Sequence, residues 1–179
     1  ARAIWHLCAS RDNQGLIVDN GAVAELVALS KTGSATAQEL SAAVISDLAK
    51  GAIMERQAQE QDGATGTVLS EKTPAQIGDE QEEVVNESDE EAGDVEPAVN
   101  GKGDRLSAIA AAGGVVPLVG LVTTGNQMGK ERAASALLHL SVDEVNSLQI
   151  AKAGGIPPMV QLLDDGTEQA QEHAVAALA

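Results

Sequence analysis

The chain has almost no aromatic side chains: among its 179 residues there is one tryptophan, Trp5, and no phenylalanine or tyrosine. A hydrophobic core must therefore be built from Ala, Val, Leu and Ile, whose small side chains suit closely stacked helices. Basic residues are also scarce, because 11 Lys and Arg stand against 27 Asp and Glu, a formal net charge of −16. This balance argues against a nucleic acid partner, which needs a basic surface.

Cysteine is nearly absent too, and the single Cys8 excludes an internal disulfide. A lone cysteine fits a reducing compartment, the cytoplasm or the nucleus, and we expect a buried thiol rather than a nucleophile. The three histidines are dispersed, and no His, Cys, Asp and Glu have the spacing of a metal site. No Ser-His-Asp or Cys-His arrangement can be argued. We therefore expect a protein that is not an enzyme and holds no metal or cofactor.

One sequence pattern recurs along the chain and marks a repeat. The run that starts at Gly113 with Gly-Gly-Val-Val-Pro-Leu returns at Gly154 as Gly-Gly-Ile-Pro-Pro-Met, and a weaker copy starts at Gly21. The last two copies are about 41 residues apart, a period typical of arrays of helical repeats. A second glycine follows each copy in the same register: Gly33, Gly125 and Gly166.

Each repeat unit predicts three helices. A short apolar helix such as 107–112 ends at a glycine, which accepts the left-handed conformation that closes a helix. The next helix, 115–122, contains Pro117 near its start, where a proline is tolerated. The third and longest helix, 127–141, carries a wide apolar stripe. The unit therefore predicts an all-α solenoid. The run 106–124 is apolar and long enough to suggest a membrane span, but two helices of the solenoid explain it better.

Three segments are the most characteristic: Ala-Gly-Gly-Ile-Pro-Pro-Met-Val-Gln-Leu-Leu from residue 153, Gly-Thr-Glu-Gln-Ala-Gln-Glu-His-Ala-Val-Ala-Ala-Leu-Ala from 166, and Ala-Leu-Leu-His-Leu-Ser from 136. In them the chain resembles the armadillo repeat family, over about 1–54 and 105–179. The resemblance implies an armadillo-like right-handed α-solenoid of three-helix repeats. Residues 1–54 would contain the end of one repeat followed by another repeat. Residues 105–179 would contain one full repeat followed by a truncated one. Because both ends cut a repeat, we expect a fragment of a longer array.

Residues 55–104 differ in composition from the repeats on either side. They carry most of the excess negative charge, are rich in Gly, Pro, Gln, Ser and Glu, and contain no aromatic residue. Such a segment cannot bury enough apolar surface to fold, so we expect a disordered acidic insertion between two repeats. Within it, Ser88 precedes Asp-Glu-Glu and resembles a site for an acid-directed kinase. The alternative is an ordinary acidic linker.

In the armadillo family the third helices line a concave groove that holds extended peptides or partner proteins. At the position where the family often has asparagine, this chain has His6, Asp47 and His139. Nuclear-import adaptors also carry a tryptophan four residues earlier, where this chain has Arg2, Ala43, Ser135 and Ala176. This departure counts against a function in nuclear import.

Three glutamates, Glu39, Glu131 and Glu172, also share one register position on the third helices. They would form an acidic rung for a basic partner, or be ordinary glutamates favoured by the helix dipole. The leading expectation is a scaffold that binds a partner protein or extended peptide in the groove lined by the third helices. The groove residues named above would contact this partner. The alternative is a carrier or adaptor for basic cargo, resembling import adaptors or chaperones, that uses the acidic insertion and the groove acids.

Overall fold

The computed structural model describes residues 2–64 and 105–179, and within these ranges it contains helices and turns but no strand. This confirms the predicted all-α fold class. The helices are α1 (Arg2–Cys8), α2 (Arg11–Asp19), α3 (Ala22–Thr32), α4 (Ala35–Ala64), α5 (Arg105–Ala111), α6 (Val115–Thr124), α7 (Gln127–Ser141), α8 (Glu144–Lys152), α9 (Ile156–Asp165) and α10 (Glu168–Leu178).

The helices group into repeats of three. The sets α2 to α4, α5 to α7 and α8 to α10 each form one repeat, and α1 occupies the place of a third helix before them. Successive repeats stack mainly through their third helices, because α4 packs on α7 and α7 packs on α10, while α1 packs on α4. Second helices also contact one another, α3 with α6 and α6 with α9. The third helices therefore lie side by side along the whole array.

The core is aliphatic, as the lack of aromatic residues requires. Its largest fully buried side chains include Leu26, Ile45, Leu118, Leu137 and Leu162. Small residues are prominent in the buried part of the third helices: five alanines of α7 and α10 are almost completely buried, namely Ala133, Ala134, Ala136, Ala170 and Ala174. Side chains of this size let neighbouring helices approach closely, which is the packing that a stacked array needs.

The glycine that ends each first helix has a left-handed backbone. Gly21, Gly113 and Gly154 have φ values of 74°, 73° and 75°. At Gly154 the backbone N–H donates to the carbonyl of Ala151 at 3.0 Å, and the N–H of Gly155 donates to the carbonyl of Ile150 at 2.9 Å. This pair of bonds closes a helix in the Schellman arrangement, which requires a residue that tolerates positive φ. The predicted role of these glycines is confirmed.

The second in-register glycine is needed for a different reason. Gly125 has an extended backbone with φ −68° and ψ 163°, and its N–H donates to the carbonyl of Leu121 at 2.9 Å. A Cβ at this position would collide with that same carbonyl oxygen, and Gly33 and Gly166 have the same surroundings. The side chain is therefore excluded by contact with the preceding turn.

Helix α4 is longer than the sequence predicted, because it continues past residue 54 to Ala64. Residues 55–64 are rich in Glu, Gln and Ala, all good helix formers. Contacts also hold the added turns: Arg105 at the start of α5 forms a salt bridge with Glu55, and Arg56 lies 3.7 Å from a carboxylate oxygen of Asp143. The first ten residues of the expected insertion are thus helical. The rest of it, including Ser88, lies outside the described residues.

Candidate functional site

Polar side chains on the four neighbouring third helices form one connected group, which we call the polar row. Its members come from α1, α4, α7 and α10, and each one hydrogen bonds to another member or changes the pKa of another. The row consists of Trp5, Ser46, Asp47, Lys50, Arg132, Ser135, His139 and His173. Because the third helices are adjacent, these side chains continue from one repeat to the next.

Asp47 of α4 lies between α1 and α7 in this row. It is half-buried, and burial raises the pKa of its carboxyl above the usual value. A hydrogen bond from the Trp5 side chain and the positive charges of Arg132 and Lys50 act in the opposite direction and lower the pKa. The carboxylate is therefore partly removed from water, accepts a hydrogen bond from one indole, and is influenced by two positive charges.

Hydrogen bonds join α4 and α7 further along the row. The hydroxyl oxygen of Ser46 lies 2.9 Å from that of Ser135 and 3.2 Å from Nδ1 of His139. Burial lowers the pKa of His139, the positive charges of Lys50 and His173 lower it further, and a hydrogen bond with the Ser135 backbone opposes them. His139 is therefore held as a neutral imidazole near neutral pH.

His173 of α10 completes the row. Its Nδ1 atom is buried and has no hydrogen-bond partner among residues 2–64 and 105–179. His173 occupies in α10 the register position that Arg132 occupies in α7. The pair Asp47 and Arg132, between α4 and α7, is thus followed one repeat later by the pair His139 and His173.

The three glutamates predicted to form an acidic rung lie in three different environments. Glu131 is buried, with 7% of its surface exposed, and its carboxylate accepts a hydrogen bond of 3.0 Å from the Thr167 hydroxyl. That same hydroxyl caps α10 by accepting from the N–H of Ala170 at 3.1 Å. Glu131 therefore joins two repeats and does not line an open surface. Glu39 is half-buried and Glu172 is exposed.

Most of the other predicted groove residues lie in or beside the polar row. Asp47, Ser135 and His139 belong to it, and His6 is exposed beside it, with its ring centroid 5.3 Å from that of Trp5. Five members of the row are not among the predicted groove residues: Trp5, Ser46, Lys50, Arg132 and His173. Arg132 and His173 could have been found, since each directly follows an in-register glutamate, Glu131 or Glu172.

Comparison with known proteins identifies the fold. Residues 143–179 match the family model described as Armadillo/beta-catenin-like repeat. A designed armadillo repeat protein in complex with the peptide (KR)4 superposes with a TM-score of 0.64 and 17% identity, over 99% of this chain and 54% of that one. Computationally designed armadillo repeat proteins for modular peptide recognition give 0.66 and 20%, over 98% and 54%. The chain has the fold of an armadillo-repeat solenoid.

The solenoid spans about half the length of these two designed proteins. An engineered protein is also similar, with a TM-score of 0.66 and 21% identity, over 99% of this chain and 31% of that one. Identities this low reflect a shared fold. The comparison with curated proteins found no match.

Cys8 of the armadillo solenoid lies near the row but belongs to the core. It is 1% exposed, and the pKa of its thiol is raised to about 11, by burial first and by the negative charge of Asp47 second, against an opposing effect of Arg105. A thiol with this pKa is protonated at neutral pH and does not act as a nucleophile.

Neither a metal site nor a single membrane-spanning helix occurs in the part of the chain that the structure describes. There, no three His, Cys, Asp or Glu side chains are placed to hold a metal ion. No single helix of this part has the length and apolar character of a membrane span, although α5 and α6 together pass that test with a bend of 76° between them.

Proposed function

We propose that the armadillo solenoid is a protein interaction scaffold that holds an extended peptide, or such a segment of a partner protein, along the polar row. The observation that supports this most is the continuity of the row across α1, α4, α7 and α10. It offers charged groups, the Ser135 hydroxyl, imidazoles and an indole in sequence, which are the groups that recognise a peptide backbone and its side chains.

The spacing of the helices suits an extended peptide. Packed helices have axes about 8–10 Å apart, and an extended chain advances about 3.3 Å per residue. Each third helix would therefore meet about every third residue of the peptide. Four such helices offer contacts to a segment of about 10 residues.

The row is also held in place before any partner binds. Ser46 is 6% exposed and bonds to both Ser135 and His139, so the side chains at the contact between α4 and α7 have little freedom to lose. The Asp47 carboxylate is similarly held by a hydrogen bond from the Trp5 side chain. Groups that are ordered in the free protein cost less entropy when a ligand binds, and this favours recognition.

The proximity of Ser46 to His139 also raises the question of a nucleophile and its base. The burial of Ser46 argues against this role, because a hydroxyl that is 6% exposed cannot reach the carbonyl of a substrate. The second functional candidate from the sequence, a carrier or adaptor for basic cargo, would use the acidic insertion and the groove acids. Since Glu131 is buried and its carboxylate bonds to Thr167, this groove acid gives that candidate no support.

Selection of peptides on the whole chain tests the proposal. A display library of random peptides of about 10 residues would be selected on the purified protein, and the dissociation constants of the enriched peptides measured by fluorescence anisotropy. The charge reversal Lys50→Glu changes an exposed residue of the row, and the matched control Lys152→Glu changes an exposed lysine of α8, a first helix.

We expect Lys50→Glu to weaken binding of the selected peptides by about fivefold or more, whereas Lys152→Glu leaves it unchanged. Both lysines are exposed, so neither change should alter folding, which circular dichroism would check. The proposal is wrong if the enriched peptides bind both variants as tightly as the original chain, or if they respond to Lys152→Glu and not to Lys50→Glu.

A further inference from the structure

Four large apolar side chains lie exposed on α9 and α10, which we call the apolar face. They are Val160 and Leu163 of α9 and Val175 and Leu178 of α10, and their exposed fractions lie between 38% and 57%. The two residues of each pair are three positions apart, which places them on one side of their helix. Helices α9 and α10 pack against each other, so the two pairs belong to neighbouring helices.

The register-equivalent residues of the two preceding repeats are all buried, with at most 8% of their surface exposed. They are Val27, Ser30, Ala42 and Ile45 in the repeat α2 to α4, and Val119, Val122, Ala134 and Leu137 in the repeat α5 to α7. Each of these two repeats has another one stacked on it, through contacts between second helices and between third helices. The apolar face therefore occupies the positions that a following repeat covers.

One contact shows what the following repeat brings to these positions. A Cβ added to Gly114 would lie 3.3 Å from Cγ2 of Val27, and a Cβ added to Gly155 would lie 3.2 Å from Cγ2 of Val119. Each valine thus packs against the start of the second helix of the next repeat, where glycine leaves room for it. Val160 is the register equivalent of Val27 and Val119. A repeat that covers Val160 in the same way has a glycine at this point.

A polar contact accompanies the apolar one. The Glu131 carboxylate accepts a hydrogen bond of 3.0 Å from the hydroxyl of Thr167, and Thr167 is the N-cap of α10, the third helix of the following repeat. The N-cap of α7 is Asn126, whose side chain can also donate. Glu172 is the register equivalent of Glu131 and is exposed. It is therefore an acceptor for a capping side chain of the same kind.

A second copy of the chain does not fit the apolar face in this way. Its α1 packs on its own α4, in the place where α10 of the first copy would have to lie. Ala22 also stands at the start of α3, where the later repeats have Gly114 and Gly155. A second copy could stack in register only after α1 had left α4.

We propose that the apolar face binds a further helical repeat, with glycine at the start of its second helix and Ser, Thr or Asn as the N-cap of its third helix. The glycine lies against Val160 and the capping side chain bonds to Glu172. Burial of the four apolar side chains favours this association. The interaction goes beyond peptide binding along the polar row and does not depend on it.

An extended form of the full chain tests the inference. A second copy of residues 139–179, which is one period long, continues the repeat in register when it is joined after Ala179. The added repeat brings its own Gly155 and Thr167 to the apolar face. Because Val175 is larger than the alanine at the equivalent position of the other repeats, the extended chain is also made with Val175→Ala. At least one of the two should unfold in a single cooperative urea transition, with a midpoint no lower than that of the original chain.

Val160→Glu then compares the face in its open and covered states. In the original chain Val160 is exposed, and the substitution should shift the urea midpoint by less than about 0.2 M. In the extended chain it places a carboxylate against the added repeat, and the midpoint should fall by about 1 M. The matched control is Val116→Glu, because Val116 is exposed on α6 in the middle of the array. Its effect should be small and the same in both chains.

Several outcomes would overturn the inference. One is an effect of Val160→Glu that is equal in the original and extended chains, and another is an added repeat that unfolds separately and at lower urea in both extended chains. Sedimentation velocity of the original chain should show a monomer. A dimer that Val160→Glu dissociates would mean that a second copy covers the face instead. The peptides selected for the polar row judge the scaffold function separately.

Discussion

Replacing Gly154 by alanine tests the backbone geometry on which every repeat depends. Gly154 ends α8 with a φ of 75°, and a Cβ added there meets no other atom within 4 Å. The substitution therefore introduces no collision, and its effect on stability comes from the backbone alone. This isolates the left-handed conformation as the reason for glycine at this position.

The expected size follows from two opposing contributions. An L-residue in the left-handed region costs about 1–2 kcal/mol, while alanine lowers the entropy of the unfolded chain and so stabilises the folded state by about 0.4–1 kcal/mol. The net loss in the free energy of unfolding is about 1 kcal/mol. With a typical denaturant dependence for a protein of this size, the urea midpoint should fall by about 0.5 M.

Gly120 provides the matched control. It lies inside α6, is exposed, and its added Cβ also meets nothing within 4 Å. Because alanine is the better helix former, Gly120→Ala should raise stability by up to about 1 kcal/mol. Urea unfolding followed by circular dichroism measures both variants. A Gly154→Ala protein as stable as Gly120→Ala would refute the assignment of a left-handed backbone at the helix junction.

Three further predictions concern the core, the repeat contact and the insertion. Native Cys8 should react with a thiol reagent at about pH 8 at least about 100-fold more slowly than in the urea-unfolded chain, and equal rates would contradict its burial. Glu131→Ala should lower the free energy of unfolding by about 1–3 kcal/mol, because it leaves the Thr167 hydroxyl without its acceptor. Glu172→Ala, at the same register position, should change the free energy of unfolding by less than about 0.5 kcal/mol. Replacing residues 66–103 by a flexible linker of about eight residues should keep a cooperative urea transition. Extending the deletion back to Glu55 should lower the midpoint of that transition. Unchanged midpoints in both variants would argue against the contacts of α4 with Arg105 and Asp143.

The helix junctions could be predicted from the sequence because their chemistry is local. Each first helix ends at a glycine whose backbone conformation depends on the few residues around it, so Gly21, Gly113 and Gly154 identify three junctions without knowledge of the rest of the fold. The aliphatic composition likewise determines the kind of core. Periodicity and glycine spacing are therefore sufficient for the architecture.

Long-range contacts explain what the sequence did not reveal. The change of composition near residue 55 predicts too early an end for α4. The helix continues because Glu55 and Arg56 contact residues of the following repeats. Glu131 and Glu172 share a register position, but only Glu131 has the hydroxyl of Thr167 from a following repeat against it. Periodicity assigns a residue to a helix face and does not reveal which side chain the next repeat brings to it.

The candidate site was predictable to a similar extent. The positions of Asp47, Ser135 and His139 followed from the family resemblance, and these residues lie in the polar row. Lys50 and His173 join the row only because neighbouring third helices bring them close to His139. Their contribution depends on contacts between helices, which a single sequence does not reveal.

Fluorescence of Trp5 tests the central claim, that a peptide binds along the polar row, most directly. The chain has one tryptophan and no tyrosine or phenylalanine, and Trp5 lies in the row beside Asp47. Titration with an enriched peptide that lacks tryptophan should change the Trp5 emission with the same dissociation constant that anisotropy gives. Lys50→Glu should weaken both signals equally. Saturable binding by anisotropy with no change in Trp5 emission, and with no effect of Lys50→Glu, would contradict the claim.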